Sequence, residues 1–233
     1  MRSKSMRIGG WLAMVALAAC AGAADDEAPG RWFVGAEGGF VSHRFETTYE
    51  YMNGGASDQY VDRANGGEIA VAFGYAIPLN KQFSVDILGR IAGNNAEWTL
   101  DTVDEYSGTD KGGPARLTFE IPYFYDAMVR PHISLPANFS LFGEAGLRYG
   151  YLHFKKVSDS STRYEISEWT PGFVAGGGLQ FDALRNLSLY VTYRYATFDS
   201  GNTESVFPDG TPWEKVEVKS RTQSVGVGAV YVF

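Results

Sequence analysis

From Gly66 the chain reads Gly-Gly-Glu-Ile-Ala-Val-Ala-Phe-Gly-Tyr-Ala-Ile, which places Ile69, Val71, Phe73, Tyr75 and Ile77 on one face of an extended strand. The other face carries Glu68, Ala70, Ala72, Gly74 and Ala76. A water-soluble sandwich buries its large apolar face and shows polar groups to solvent, so a greasy face backed by a small, partly charged one fits a barrel set in lipid better.

The same period of two recurs along the chain. Trp32, Val34, Ala36 and Phe40 alternate with Glu37, and Phe83, Val85, Ile87 and Ile91 with Asp86 and Arg90. Leu117, Phe119, Ile121, Tyr123 and Tyr125 are read as one outward face opposite Arg116, Glu120 and Asp126. Further on, Leu141, Ala145, Leu147, Tyr149 and Tyr151 alternate with Glu144 and Arg148, and Phe173, Ala175, Leu179 and Phe181 with Gly176, Gly178 and Gln180. Leu187, Leu189, Val191, Tyr193 and Tyr195 alternate with Thr192 and Arg194, and Val225, Val227, Ala229, Tyr231 and Phe233 complete about eight strands.

Connections alternate in length. The short ones are Pro78 to Lys81, Pro131 to Asn138 and Ala183 to Asn186; the long ones run from about Glu46 to Asn65, Asn94 to Pro114, Lys155 to Glu168 and Ser200 to Val216, all polar with Gly, Asp, Ser and Asn. Short periplasmic turns and long outer loops define an up-and-down transmembrane barrel. Aromatic residues fall near both ends of the outward faces: Trp32, Tyr75, Phe83, Phe181, Tyr231 and Phe233 below, Tyr149, Tyr151, Trp169 and Tyr195 above. The fold class expected is therefore all-β, a transmembrane antiparallel up-and-down β-barrel of about eight strands.

The N-terminus reads as an export address. Arg2, Lys4 and Arg7 precede an apolar run, Ile8 to Ala19, too short to span a bilayer, and Ala21-Gly22-Ala23 offers a small-residue cleavage site. Residues 1–23 are expected to be a signal peptide, 24–30 a short lead and 31–233 the barrel domain. Leu17-Ala18-Ala19-Cys20 also matches a lipobox, in which case Cys20 would carry lipid and begin the mature chain.

Composition narrows the function. The formal charge of -7 gives no basic face for nucleic acid, and removal of residues 1–23 leaves -10. One cysteine excludes an intramolecular disulfide, and three histidines fall short of an ordinary zinc site, so no cofactor or metal is expected.

Trp32-Phe33-Val34-Gly35-Ala36-Glu37-Gly38-Gly39 resembles the first strand of the small outer-membrane barrels of the OmpA/OmpX type, including the opacity-like surface proteins. The closing Val225-Gly226-Val227-Gly228-Ala229-Val230-Tyr231-Val232-Phe233 is similar to their terminal strand, which ends on an aromatic residue. The resemblance implies that Val225, Val227, Ala229, Tyr231 and Phe233 form an assembly signal read by the barrel-assembly machinery. No peptidoglycan-binding domain like that of the best-known member is expected after the barrel.

An eight-stranded barrel is only wide enough for its own side chains, so the inward residues decide whether anything passes. Glu37, Arg90, Arg148 and Arg194 are expected at similar mid-barrel height, with Glu144 a little lower. They form either a polar plug or an ion gate that opens by exchange of salt-bridge partners. Arg44, Arg63, Lys155, Lys156, Arg163, Lys219 and Arg221 lie near the outer ends, within reach of lipopolysaccharide phosphates.

His132-Ile133-Ser134 superficially matches the His-x-Ser of outer-membrane lipid A deacylases, but it is read as part of a periplasmic turn. His43 and His153, with Asp58, Asp62 and Asp101 nearby, are read as solvated rim residues and not as a protease site. The expected function is a non-enzymatic outer-membrane barrel for envelope integrity and surface loop display or adhesion, in contact with outer-membrane lipid, lipopolysaccharide and host or cell-surface ligands. A narrow ion or small-solute channel is the second reading, a lipid A-modifying or proteolytic enzyme the third.

Overall fold

In a computed structural model of the protein, the residues described are 30–51, 57–103, 114–158, 163–206 and 212–233. Residues 1–23, read above as a signal peptide and including Cys20, lie outside them. Ten antiparallel strands follow in order: β1 (Arg31–Tyr51), β2 (Ser57–Pro78), β3 (Phe83–Asn94), β4 (Glu97–Val103), β5 (Pro114–Glu120), β6 (Tyr123–Leu135), β7 (Phe139–Ser158), β8 (Arg163–Leu184), β9 (Leu187–Val206) and β10 (Pro212–Val232). β4 prolongs β3 beyond a break at Asn95-Ala96, and β5 leads into β6 across Ile121-Pro122, so the ladders close into an eight-strand ring. The last strand seals against the first, with Phe33 opposite Val232 and Ala36 opposite Ala229.

The alternation read from the sequence sorts the two faces as expected along most strands. Trp32, Ile69, Phe73, Phe173, Val227 and Phe233 are exposed on the outer wall, while Glu37, Arg90, Glu144, Arg148 and Arg194 are buried inside. Both aromatic belts face outward. On one side of the upper belt five rings gather: Trp169 lies 5.4 Å from Tyr149 and 5.3 Å from Tyr125, and Tyr123 lies 5.1 Å from Tyr151.

Three expectations need correction. Phe119 and Ile121 point inward and are buried, whereas Tyr123 and Tyr125 point outward. Side chains of a strand alternate strictly only while the strand is continuous, and the break at Ile121-Pro122 shifts the phase. The turn assigned to Pro131–Asn138 is only Pro136–Asn138, because β6 continues to Leu135. Ala137 and Asn138 there adopt φ of 63° and 62°. Pro131 thus sits within an internal strand. It carries no N–H, and the β6–β7 ladder skips from Val129 opposite Ala145 to His132 opposite Phe142 without losing register.

The third correction concerns the long loops. Most of the polar residues assigned to them continue the strands, and β1, β2, β7, β8, β9 and β10 reach 20 to 22 residues. At about 3.3 Å per residue such strands run roughly 65–70 Å, against the 9–11 residues that a tilted strand needs to cross a bilayer. The barrel therefore projects well beyond the apolar band at the end opposite the short turns.

In that projection the wall parts along two seams. The β2–β3 ladder stops at Glu68 opposite Asn94, and no ladder joins β4 to β2 above it. The β8–β9 ladder stops at Gly172 opposite Phe198, although β8 continues on β7 and β9 on β10. Two four-stranded sheets result, β4–β5–β7–β8 and β2–β1–β10–β9.

Candidate functional site: a layered lumen

The inward faces of the strands form three layers. The middle one is ionic. The guanidinium of Arg90 (β3) donates to Glu37 of β1 at 2.8 Å and to Asp126 of β6 at 3.1 Å, and it also meets Glu68 of β2. Arg148 (β7) grips Asp126 with two donors, at 2.7 and 2.9 Å. Arg130 (β6) donates twice to Glu144 at 2.9 and 3.2 Å, and Arg194 (β9) contacts both Glu144 and Glu37. Tyr190 donates its hydroxyl to Glu37 at 2.9 Å and Thr192 to Glu144 at 3.2 Å.

Four arginines thus meet four carboxylates, and no side chain among them exceeds 4% exposure. Taking such charges out of water is costly unless each is matched, which the equal numbers provide. Aromatic rings complete the packing: the Arg148 guanidinium lies 3.8 Å above the Phe124 ring and that of Arg130 4.8 Å from Phe142.

Above this network lies an apolar cap. Phe119 is at its centre, with ring centroids 4.4 Å from Phe154, 5.0 Å from Trp98 and 5.5 Å from Phe45, and Val41, Leu152, Phe198 and Val218 fill around it. Phe33, Leu88, Met128, Phe142, Tyr190 and Val230 form a second cluster on the turn side.

The five charges named from the sequence all belong to the ionic layer. Missing from that set were Glu68, Asp126 and Arg130. Three cations against two anions in a closed lumen already signalled further acids, and Glu68 and Asp126 stood on the inward faces of strands already counted. Arg130 was hidden by the false start of the turn at Pro131.

His132, placed by sequence reasoning in that turn, lies instead on the inner face of β6 with its Nε2 2.8 Å from Asp86 Oδ2. His43, expected at the solvated rim, is completely buried in the lumen, with Nδ1 2.8 Å from Thr222 Oγ1 and Nε2 3.3 Å from Asn94 Oδ1. Only His153 stays at the surface, 2.8 Å from Ser167. Asp62 is exposed, and the side chains of Asp58 and Asp101 lie outside the described residues.

The basic residues of the outer wall divide between the two sheets. Arg44 on β1 stands directly between Arg63 on β2 and Arg221 on β10. Glu46 serves two of them, at 3.2 Å from Arg44 and 3.8 Å from Arg221. Lys219 pairs with Glu217 at 3.2 Å. Lys155 is exposed on β7 in the other sheet; the side chains of Lys156 and Arg163 lie outside the described residues.

No protein-family model matches the chain, and no curated protein matches its sequence. Solved structures do. The outer membrane protease OmpT of Escherichia coli aligns over 89% of this chain and 99% of its own at 8% identity, with a TM-score of 0.51. The chain folds as an outer-membrane β-barrel.

The outer membrane protein OprG of Pseudomonas aeruginosa shares this barrel over 86% of the chain and 96% of its own, at 11% identity and a TM-score of 0.50. The attachment invasion locus protein Ail of Yersinia pestis aligns over 84% of the barrel chain and 98% of its own at 18% identity, with a TM-score of 0.35. Identities this low speak for the fold alone, and one fold carries many functions.

Proposed function

We propose that the chain is a non-enzymatic outer-membrane protein that braces the envelope and presents its projecting strands and their connections for surface display or adhesion. The observation that carries this reading is the layered lumen, in which a charge-balanced plug sits between apolar residues above and below. Passage of an ion would require breaking buried salt bridges and also wetting the Phe119 cap, and dewetted apolar constrictions are effective barriers. His132 meets Asp86, and among the described residues no hydrogen bond joins it to Ser134, the His–Ser contact that a nucleophile needs.

On this reading residues 1–23 export the chain, 31–233 form the barrel, and the outward Val225, Val227, Ala229, Tyr231 and Phe233 serve as the terminal signal for barrel assembly. Like charges set directly opposite one another destabilise a sheet, so the row Arg63-Arg44-Arg221 favours an anionic neighbour, and lipopolysaccharide phosphate is the one at hand in an outer leaflet.

Planar-bilayer recording of the refolded protein tests the closed plug. The wild type is expected to be electrically silent. Stepwise currents that change in Arg148→Ala would replace this reading with that of a gated channel. Display is tested separately by shaving intact cells with an external protease: attachment to surfaces should fall while the membrane-embedded barrel stays intact.

A further inference from the structure

The upper belt carries a surface built in rows on the outer wall of β6, β7 and β8. Tyr125, Tyr149 and Pro171 stand side by side in one row, and Tyr151 and Trp169 in the next, with the Tyr123 ring 5.1 Å from Tyr151. Trp169 leans across its neighbours: its ring lies 5.4 Å from both Tyr149 and Tyr151 on β7, and it reaches within 5.3 Å of Tyr125 on β6, two strands away. These contacts hold the indole in place, yet 36% of the residue remains exposed. A membrane belt needs rings at one depth around the wall, which does not account for five gathered on three neighbouring strands.

The row above supplies hydrogen bonding. Glu120 of β5, His153 of β7 and Ser167 of β8 follow in register across the same wall. His153 Nδ1 lies 2.8 Å from Ser167 Oγ, whereas its Nε2 is 3.9 Å from Glu120 Oε1, too far for a hydrogen bond. A hydroxyl brought to this pair can donate to the carboxylate and exchange a bond with the ring nitrogen. Charge selects the ligand further. Glu120 and Glu168 are both accessible and Lys155 stands opposite Glu165, so this side repels phosphate, unlike the row Arg63-Arg44-Arg221 on the other sheet. An uncharged, hydroxyl-rich group fits, and a hexose ring is one: its face of C–H groups packs on the electron-rich face of an aromatic ring, and its rim presents hydroxyls.

We propose that this surface binds the sugar head of an uncharged glycolipid in the outer leaflet, with one hexose ring packed on Trp169 and its hydroxyls bonded to Glu120, His153 and Ser167. Trp and Tyr rings mark headgroup depth and the wall there faces sideways, so the sugar within reach is one carried by a neighbouring lipid. The inference rests on the membrane placement of the barrel and adds a ligand class to it; a barrel that refolds but shows no preference for the sugar would overturn this inference alone.

Native mass spectrometry of the refolded full chain, in a zwitterionic detergent without sugar, tests this with monoglucosyl diacylglycerol, diacylglycerol and phosphatidylglycerol of the same acyl chains. The wild type should retain the glucosyl lipid saturably and about tenfold more tightly than diacylglycerol. Trp169→Leu, which keeps an apolar side chain but removes the ring, should abolish that preference. Glu120→Gln with Ser167→Ala should weaken retention of the glucosyl lipid about tenfold, with diacylglycerol unaffected. Trp32→Leu, in the lower belt, should change nothing. Each variant must keep the different gel mobility of boiled and unboiled barrel, so that loss of folding is told apart from loss of binding. Equal retention of glucosyl lipid and diacylglycerol by the wild type, an undiminished preference in Trp169→Leu, or tighter retention of phosphatidylglycerol than of the glucosyl lipid would overturn the proposal.

Discussion

Glu37 is the residue on which the lumen turns. It accepts from Arg90, Arg194 and Tyr190, three groups from two other strands, so its loss takes a carboxylate from two buried cations at once and leaves four guanidiniums to three carboxylates. Removing one partner of a buried ion pair costs about 3–5 kcal/mol, and Glu37→Ala is expected to lower stability by at least that, measured by urea unfolding in phospholipid vesicles. The paired change Glu37→Ala with Arg90→Ala should cost less than the sum of the two singles, since the double variant leaves fewer unmatched charges. Phe119→Ala, at the centre of the upper cap, should cost about 3–5 kcal/mol by the same measurement, because its four-ring cluster has nothing to fill the space. Charge was legible at this scale only as a sign of what lay inside. Glu68 and Asp126 could be placed on inward faces from spacing alone, but which arginine each would meet depends on curvature and register, and no local pattern encodes those.

Among the elements, legibility followed the solvent. Where one face meets lipid and the other the lumen, the contrast between Val, Ile or Phe and Glu, Arg or Gly is strong, and strands such as β2 and β10 could be read residue by residue. Beyond the membrane the outer face is wet, the contrast vanishes, and the upper parts of β1, β2, β8 and β9 look like loop although they remain paired. The phase shift at Ile121-Pro122 escaped for another reason: five apolar residues in alternation continued through it, and only the proline hinted at a break. Depth along β10 offers a test of the lipid-facing reading. Val227→Arg, in the apolar band, should cost about 2–4 kcal/mol, and Gln223→Arg, two turns of the pleat higher, about 0–1 kcal/mol, both read from unfolding in vesicles. The left-handed backbone at Ala137 gives a smaller effect of opposite sign. An L-residue with a Cβ is held there at a cost of roughly 1–2 kcal/mol, so Ala137→Gly should be neutral or stabilising by a few tenths of a kcal/mol.

Seen whole, the molecule is a plugged lower barrel carrying two opposed sheets, joined inside by the aromatic cap and separated at the wall by two seams. Backbone protection should follow that division. In hydrogen exchange the rungs of β1–β10 from Phe33 to Gly39 should outlast the β4 and β2 edges that flank the first seam, and uniform protection along β2 would contradict the parted wall. The balance of the plug has an electrical consequence as well. A potential across a membrane acts on net charge, with about 2.3 kcal/mol per elementary charge for each 100 mV. Four guanidiniums and four carboxylates locked together carry no net charge, so a field along the barrel axis pulls their two signs in opposite directions and exerts no resultant force on the group. The paired group thereby offers an applied voltage no net charge to move, and raising the potential in a bilayer should not turn the plug into a sensor.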